Sequence, residues 1–451
     1  MLSSTDTIAA PATPTGVSAI ALVRASGPRA GELAREIFGA TPLPRTAVHG
    51  DFRDRHGAIV DDVVGVFFAG PNSYTGEDTL EISCHGNPFI VRKIMDDLVA
   101  RGCRWAEPGE FTRRAFLNGR LELTQAEAVM DLLHARSEAA LEAANRQLRG
   151  ALGRHLARLT AKLVDVLARL EAYIDFPEED LPPEDRDFVL REIDDLASET
   201  ARLVATGHYG EMLRHGIRTV IVGETNAGKS SVLNRLLGEN RVLVSPEPGT
   251  TRDYIEAEWV VGRHWLRLVD TAGFREPGSE IEQMGMEKSL EQIGQADLFL
   301  WVVDGTRPLP LLPPAAAKCL NQKNTVLVAN KSDLPSYRAP TGTKENIPAI
   351  KFSAKTGDGL DDLMKRIEQL SEGFALAIGE DQLAVSARHA EALARAHKGF
   401  QDAAIGMKEK KPIELLASDL RESMAAIGEI SGKLDNERIL DRLFASFCIG
   451  K

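Results

Sequence analysis

Cysteine is scarce in this chain, and each one stands alone. The four are Cys84, Cys103, Cys319 and Cys448. No two form a CxxC pair, so neither a zinc site nor a disulfide framework is indicated. A reducing, cytosolic location fits that usage. Long apolar runs are missing too. No stretch reaches the roughly 18 residues that a spanning helix needs, so no membrane association is expected. The opening "MLSSTDTIAAPATPTG" has neither a basic start nor a long apolar core, so a signal peptide is not expected. Basic charge is in deficit, with 54 Lys and Arg against 66 Asp and Glu and a formal net charge of −12. That argues against broad, sequence-blind binding to nucleic acid or an acidic membrane, while leaving room for a local basic groove. Internal repeats and low-complexity tracts are absent.

What remains is ordinary globular material, 43% hydrophobic and 27% charged over 451 residues, enough for two or three domains. Three textures follow one another. Residues 1–118 mix short apolar runs ("VSAIALVR", "DVVGVFFAG", "LEISCHG") with turn residues, which predicts an α+β region. From 119 to 215 the texture is helical. Leu148, Leu152, Leu156, Leu159, Leu163, Leu167 and Leu170 recur at steps of three and four, one face of a long helix. The prolines of "DFPEEDLPPED" end it, and "RDFVLREIDDLASETARLVATG" begins a second helical run. Over 216–375 apolar strands ("RTVIVG", "HWLRLVD", "DLFLWVVD", "NTVLVAN", "PAIKFSA") alternate with helical stretches. That pattern predicts a parallel sheet covered on both faces. Helical texture returns over 376–451. The simplest reading inserts the α/β block between two halves of one helical domain.

"VIVGETNAGKSS" carries G-x-x-x-x-G-K-S from Gly223 to Ser230, between a predicted strand and a predicted helix. Gly223 and Gly228 allow the backbone N–H groups of Asn226, Ala227 and Gly228 to close around phosphate. Lys229 offers its charge to the β- and γ-phosphates, the Ser230 hydroxyl can ligate Mg²⁺, and Ser231 continues the helix. "PGTTRD" places Thr250 and Thr251 where a first switch supplies a Mg²⁺ ligand. "DTAG" ends a strand at Asp270, which can hold Mg²⁺ through water. Thr271 and Ala272 lead on to Gly273, whose N–H can sense the γ-phosphate. "NKSD" supplies Asn330, Lys331 and Asp333. The Asp333 carboxylate can accept from guanine N1–H and the 2-amino group, a donor pair that adenine lacks. "SAK" (Ser353, Ala354, Lys355) completes a guanine pocket. Five elements in order predict GTP binding.

One absence concerns the chemistry. The best-known small GTPases place a glutamine after the Asp-x-x-Gly turn to orient the attacking water. Here that position is Phe274, which can hold no water. Glu280, Glu282 and Glu287 on the same segment are alternative carriers of that role, since a carboxylate can accept from water. The Asn226 side-chain carbonyl could hold a monovalent cation in place of an arginine finger; a structural loop asparagine is the other reading.

The whole chain resembles the MnmE (TrmE) family of bacterial tRNA-modification GTPases. Beyond the nucleotide motifs, the resemblance lies in "DTIAAPATP", "PNSYTGEDTLEISCHGNP", "EPGEFTRRAFLNGRLELTQAEAV", "YIDFPEED" and the terminal "CIGK". It implies an α/β P-loop GTPase domain inserted in an all-α helical domain, preceded by an α+β N-terminal folate-binding domain. The corresponding spans are 216–375, then 119–215 with 376–451, then 1–118. It also implies a cytoplasmic homodimer that binds 5-formyl-tetrahydrofolate or a related one-carbon tetrahydrofolate. With the FAD-dependent partner MnmG, in a heterotetramer or larger complex, such proteins install a (carboxymethyl)aminomethyl group on C5 of wobble uridine (U34) in certain tRNAs. GTP hydrolysis to GDP drives the step, and potassium stimulates it.

Carried onto this sequence, the resemblance makes Asn226 a potassium ligand, with Ser245, Glu247 and Thr250 supplying further oxygens. Ser230 and Thr251 match the Mg²⁺ ligands, and Glu282 matches the water-orienting glutamate. Arg24, Glu81 and Arg120 stand at folate-site positions, with Lys451 near the partner protomer's site. By their chemistry, Glu81 could accept from a pterin, and the two arginines could hold the folate carboxylates. Cys448 matches the terminal cysteine of C-x-G-K, and His85 reads as structural. Two positions depart from the family pattern: Thr225 replaces the usual proline and Asn87 the usual glycine. The competing reading is a ribosome-assembly-type GTPase that binds RNA without modifying it. The first region shows no RNA-binding motif. Intact Lys229, Ser230, Thr251 and Asp270 argue against a degenerate scaffold.

Overall fold

The computed structural model describes residues 6–175, 183–239, 256–270, 292–341, 346–376, 383–432, 443–445, 447 and 450. The chain divides into two compact units. One comprises Met1–Met130, Gln147–Thr160 and Met424–Lys451; the other comprises Asp131–Arg146 and Ala161–Ser423.

Alternation builds the first unit. Strands β1 (Ile8–Pro11), β2 (Ser18–Ser26), β3 (Ala47–Arg53), β4 (Ile59–Phe68), β5 (Thr79–Gly86) and β6 (Arg104–Trp105) pair in the order β3-β4-β5-β2-β1-β6. All neighbours are antiparallel except β1 and β6. Ala21, Val23 and Ala25 of β2 share a core with Leu80, Ile82 and Cys84 of β5. Helices α1 (Ala30–Phe38) and α2 (Pro88–Ala100) cover that face through Leu33, Ala34 and Ile37 and through Ile94, Met95 and Leu98. The period of two then turns Leu22, Arg24, Glu81 and Ser83 to the opposite face. Asn87 has a role of its own. Its side chain accepts from the Phe89 N–H and caps α2, with Pro88 as the first helical residue.

Helices α3 (Glu110–Leu117), α4 (Leu123–His134), α5 (Glu138–Leu148) and α6 (Ala151–Asp175) follow. The leucine series corrects one expectation. Leu148 ends α5, and Gly150, at φ +78°, turns the chain before α6 begins. The long helix thus starts at Ala151, with Leu152, Leu156, Leu159, Leu163, Leu167 and Leu170 all buried along it.

In the second unit, helices α7 (Pro183–Ala205) and α8 (Gly207–His215) precede a sheet. Its strands are β7 (Ile217–Val222), β8 (Glu256–Val261), β9 (His264–Asp270), β10 (Leu298–Asp304), β11 (Thr325–Asn330) and β12 (Ala349–Lys351). They run in the order β12-β11-β10-β7-β9-β8. Five are parallel. The sixth, β8, is an antiparallel edge strand that the periodicity did not reveal. Helices α9 (Lys229–Glu239) and α11 (Leu360–Leu376) pack on one face, and α10 (Pro314–Cys319) on the other. Burial on both faces explains the unbroken apolar strands. Tyr209 and Met212 of α8 join the core under α9 and α11, so the α/β block shares its unit with helical neighbours. Helices α12 (Ala387–Lys408) and α13 (Ile413–Ser431) complete the described elements, and α12 packs along α7.

Candidate functional site

Strand order reverses at β7, which has β9 on one side and β10 on the other. The carboxyl ends of parallel strands at such a point form a natural ligand crevice. The phosphate loop leaves β7 there. Gly223 adopts φ +151°, and a Cβ on it would lie 2.1 Å from the Val302 carbonyl oxygen of β10. Only glycine lets the loop cross that strand. Gly228 (φ +95°) serves a second close approach, since a Cβ there would lie 2.3 Å from Asn330 Nδ2. Asn226 sits between them at φ +64°, exposed, with its side-chain amide unbonded among the described residues. Lys229 is buried, and its Nζ donates to the carbonyls of Gly223 and Glu224 at 3.1 and 3.0 Å. Ser230 and Ser231 are exposed on the first turn of α9. Helix direction and glycine geometry together direct N–H groups toward the crevice, the arrangement that attracts phosphate.

The base-reading motifs end the next two strands. Asn330 closes β11 and links two loops: its Nδ2 donates to the Ala227 carbonyl at 2.9 Å, and its Oδ1 accepts from the Ala354 N–H at 3.0 Å. The Ser353 hydroxyl donates to Asp333 Oδ1 at 2.7 Å and so orients that carboxylate. Lys331 Nζ lies 2.7 Å from Asp304 Oδ2 at the end of β10. Burial pushes the Asp304 carboxyl up. The Lys331 ammonium and the Thr306 hydroxyl and N–H outweigh it and hold the group below its usual range. Sequence reasoning passed over Asp304, and also Arg235 of α9, which bonds the carbonyls of Ala354 and Lys355. A charged residue at the mouth of an apolar strand ("LFLWVVD") was the available signal for Asp304. Arg235 carried none.

Part of the predicted set lies outside the described residues: Ser245, Glu247, Thr250, Thr251, Thr271, Ala272, Gly273, Phe274, Glu280, Glu282, Glu287, Cys448 and Lys451. Asp270 is described through its backbone as the last residue of β9, level with Ile221 on β7.

In the first unit, Arg24 and Glu81 face each other across β2 and β5. Arg24 Nε and Nη2 both reach Glu81 Oε1, at 2.8 and 2.7 Å, leaving Oε2 without a bond among the described residues. The guanidinium carbon lies 5.6 Å from the ring centres of both Tyr74 and Phe111. Sequence reasoning gave these two residues separate tasks; the structure makes them one ion pair. The Gly450 carbonyl accepts from Arg24 Nη1 at 3.5 Å, so the residue before Lys451 lies beside Arg24 of its own chain. Phe444 and Phe447 anchor this tail against Leu123, Ala126 and Val129. Arg120 is exposed and packs beside Gly76, and among the described residues no hydrogen bond or ion pair joins it to Arg24 or Glu81. His85 is exposed and bonds Asp61 at 2.8 Å. That bond raises its pKa above the ordinary value. Burial pushes the thiols of Cys84 and Cys103 up to about 11, which makes both inert.

Two family profiles match the chain: the GTP-binding protein TrmE N-terminus over residues 7–120 and the MnmE helical domain over residues 123–448. The tRNA modification GTPase MnmE of Opitutus terrae is 55% identical over 447 residues, covering 99% of both chains. The chain belongs to the MnmE family. The tRNA modification GTPase MnmE of Chlorobium chlorochromatii is 40% identical over 465 residues and 98% of each chain. The MnmE relation covers both halves of the structure. The β1–β6 sheet falls inside the TrmE N-terminal match, and the P-loop sheet falls inside the MnmE helical match.

Proposed function

We propose that the protein is a potassium-stimulated GTP hydrolase acting in tRNA modification. With an FAD-dependent MnmG partner it would install a (carboxymethyl)aminomethyl group on C5 of wobble uridine in certain tRNAs. The observation that carries this reading is 55% identity to a tRNA modification GTPase over 99% of both chains. It is supported by a glycine-shaped phosphate loop after β7 and by the bonds that join Asn330, Asp333 and Ser353 beside it. The domains proposed are 1–118, 119–215 with 376–451, and 216–375.

In this reading Lys229 and the N–H groups of Asn226 to Ser230 hold the phosphates. Asp333 accepts from the guanine N1–H and 2-amino group. Lys331, held by Asp304, lies along the base, and Ser353, Ala354 and Lys355 border it. Ser230 and Thr251 would hold Mg²⁺, which neutralises charge between the β- and γ-phosphates. The exposed Ser230 on the first turn of α9 suits that role. Asn226, Ser245, Glu247 and Thr250 would hold K⁺, which supplies the positive charge an arginine finger supplies elsewhere. The exposed, unbonded Asn226 amide suits that ligand. Glu282 orients the attacking water in place of the missing glutamine.

The Arg24–Glu81 pair suits a one-carbon tetrahydrofolate, because Glu81 Oε2 makes no bond among the described residues and can accept from a pterin donor, while Tyr74 and Phe111 flank the Arg24 guanidinium. Arg120 and Lys451 would hold the carboxylate end, and Cys448 would serve the modification step. The β2–β5 face opposite α1 and α2 leaves Ile20 and Val64 exposed, which favours a homodimer. Among the described residues no helix is long and apolar enough to cross a membrane; a cytoplasmic location is part of the same proposal.

The test is reconstitution. The protein, its FAD-dependent partner, GTP, a one-carbon tetrahydrofolate, an amine donor (ammonium or glycine in parallel reactions) and unmodified tRNA are combined, and the mass of U34 is read. A mass gain that requires both proteins is expected. Unmodified U34 alongside intact GTP turnover would contradict the modification role and favour an RNA-binding GTPase.

A further inference from the structure

Arg235 stands on α9, about one and a half turns beyond the phosphate-binding serine. Its guanidinium makes two bonds to one loop. Nε donates to the Ala354 carbonyl at 3.2 Å, and Nη2 donates to the Lys355 carbonyl at 2.7 Å. A trans peptide points its C=O and its N–H in opposite directions. Drawing the Ala354 carbonyl toward α9 therefore turns the Lys355 N–H away from α9. Drawing the Lys355 carbonyl toward α9 likewise sets the direction of the Thr356 N–H. That N–H donates to Ser353 Oγ at 3.2 Å, and the Ser353 hydroxyl donates to Asp333 Oδ1 at 2.7 Å. A chain of bonds thus runs from the phosphate-loop helix to the carboxylate that reads the base.

We propose that Arg235 is a positioning residue for base recognition. It sets two reading groups at once: the Lys355 N–H, which can donate to a purine 6-oxo group, and the Asp333 carboxylate, which accepts from N1–H and the 2-amino group. The Asn330 bonds to Ala227 and Ala354 close the loop from the other side. Phosphate loop, base loop and α9 then form a ring of hydrogen bonds, with Arg235 as the arm from the helix. The inference rests on the guanine-nucleotide reading of this site and deepens it. A lysine at this position supplies a point charge and cannot place two donors in a fixed fork.

The experiment uses the full chain and compares wild type, Arg235→Lys and Arg235→Ala. Steady-state kcat and KM are measured for GTP and for ITP, which keeps the 6-oxo group and N1–H but lacks the 2-amino group. Melting temperature without nucleotide checks that each variant folds. For Arg235→Ala the expected result is a KM for GTP raised about tenfold, with kcat at saturation within about twofold. The preference for GTP over ITP should fall several-fold, because Asp333 no longer meets the 2-amino group squarely. Arg235→Lys should lie between the two, and it carries the test if Arg235→Ala does not fold. An unchanged KM and GTP/ITP ratio would overturn the inference. So would a loss of kcat with KM unchanged, or full rescue by lysine. GDP and IDP binding measured by calorimetry gives the same comparison without turnover. A wild type that binds GDP but does not hydrolyse GTP would count against the proposed activity and leave this inference standing.

Discussion

Gly223 shows how a single residue constrains the site. Its φ of +151° and the 2.1 Å approach of its would-be Cβ to Val302 leave no room for a side chain. Gly223→Ala should destabilise the protein by about 2 kcal/mol or more and abolish measurable guanine-nucleotide binding. Urea unfolding and calorimetry with GDP check both parts, and near-wild-type values in each would show that the loop tolerates a side chain. At this scale the sequence was most legible where a role depends on neighbours along the chain. The phosphate loop from Gly223 to Ser230, Asn330 and Asp333 belongs to that class, because local spacing specifies each one. Asp304 and Arg235 act on partners 27 and 119 residues away; the apolar run before Asp304 marks it as a strand end but not its partner, and nothing near Arg235 announces its role. Arg24 and Glu81 were named through the family resemblance, and their mutual pairing was not foreseen, because cross-strand register is set by the whole sheet.

Elements follow the same rule. Strongly periodic segments such as α6, α7 and α12 were visible as runs, and so were the five parallel strands. The break at Gly150 was hidden because the four-residue leucine step continues across it, from Leu148 to Leu152. Strand β8 was missed because one third of "EAEWVV" is charged, although Trp259 within it is fully buried. Caps also act at this scale. Ser386 accepts from the His389 N–H, and the Ser386 N–H donates back to the His389 ring, a capping box that starts α12. Ser386→Ala should cost about 1 kcal/mol in urea unfolding. No change in the midpoint would mean that the cap is redundant.

A partly buried charge cluster ties Asp6 to α3. Arg104 and Arg114 both bond Asp6 and Glu110, and Arg114 also reaches Glu77. Burial would raise the carboxyls of Asp6 and Glu110, but the arginines, aided at Glu110 by the Glu107 N–H, hold both below their ordinary values. Lowered carboxylate pKa values stabilise the fold above the unfolded values of 3.8 and 4.5. That stability is lost as pH falls through the folded values. The protein should therefore unfold more readily in acid below about pH 4. Glu110→Gln should cost about 2 kcal/mol at neutral pH, since it removes the buried carboxylate that both arginines bond and leaves them Asp6 and Glu77, and should flatten the acid limb. A pH series of urea midpoints for both proteins checks this; identical curves would remove the cluster from the stability of the fold.

At the scale of the whole molecule, the order of textures along the chain was readable: α+β, helical, α/β, helical. The grouping into two compact units was not, because core residues such as Tyr209 and Met212 join elements that composition separates. Function at this scale depends on how a chain with phenylalanine at position 274 hydrolyses GTP. The proposed answer is a bound potassium ion beside Asn226 together with Glu282. The most direct measurement is GTP turnover by the purified protein in KCl and in NaCl at equal ionic strength. A large rate increase in potassium is predicted. Equal rates in the two salts would contradict the cation mechanism and point to activation by some other partner.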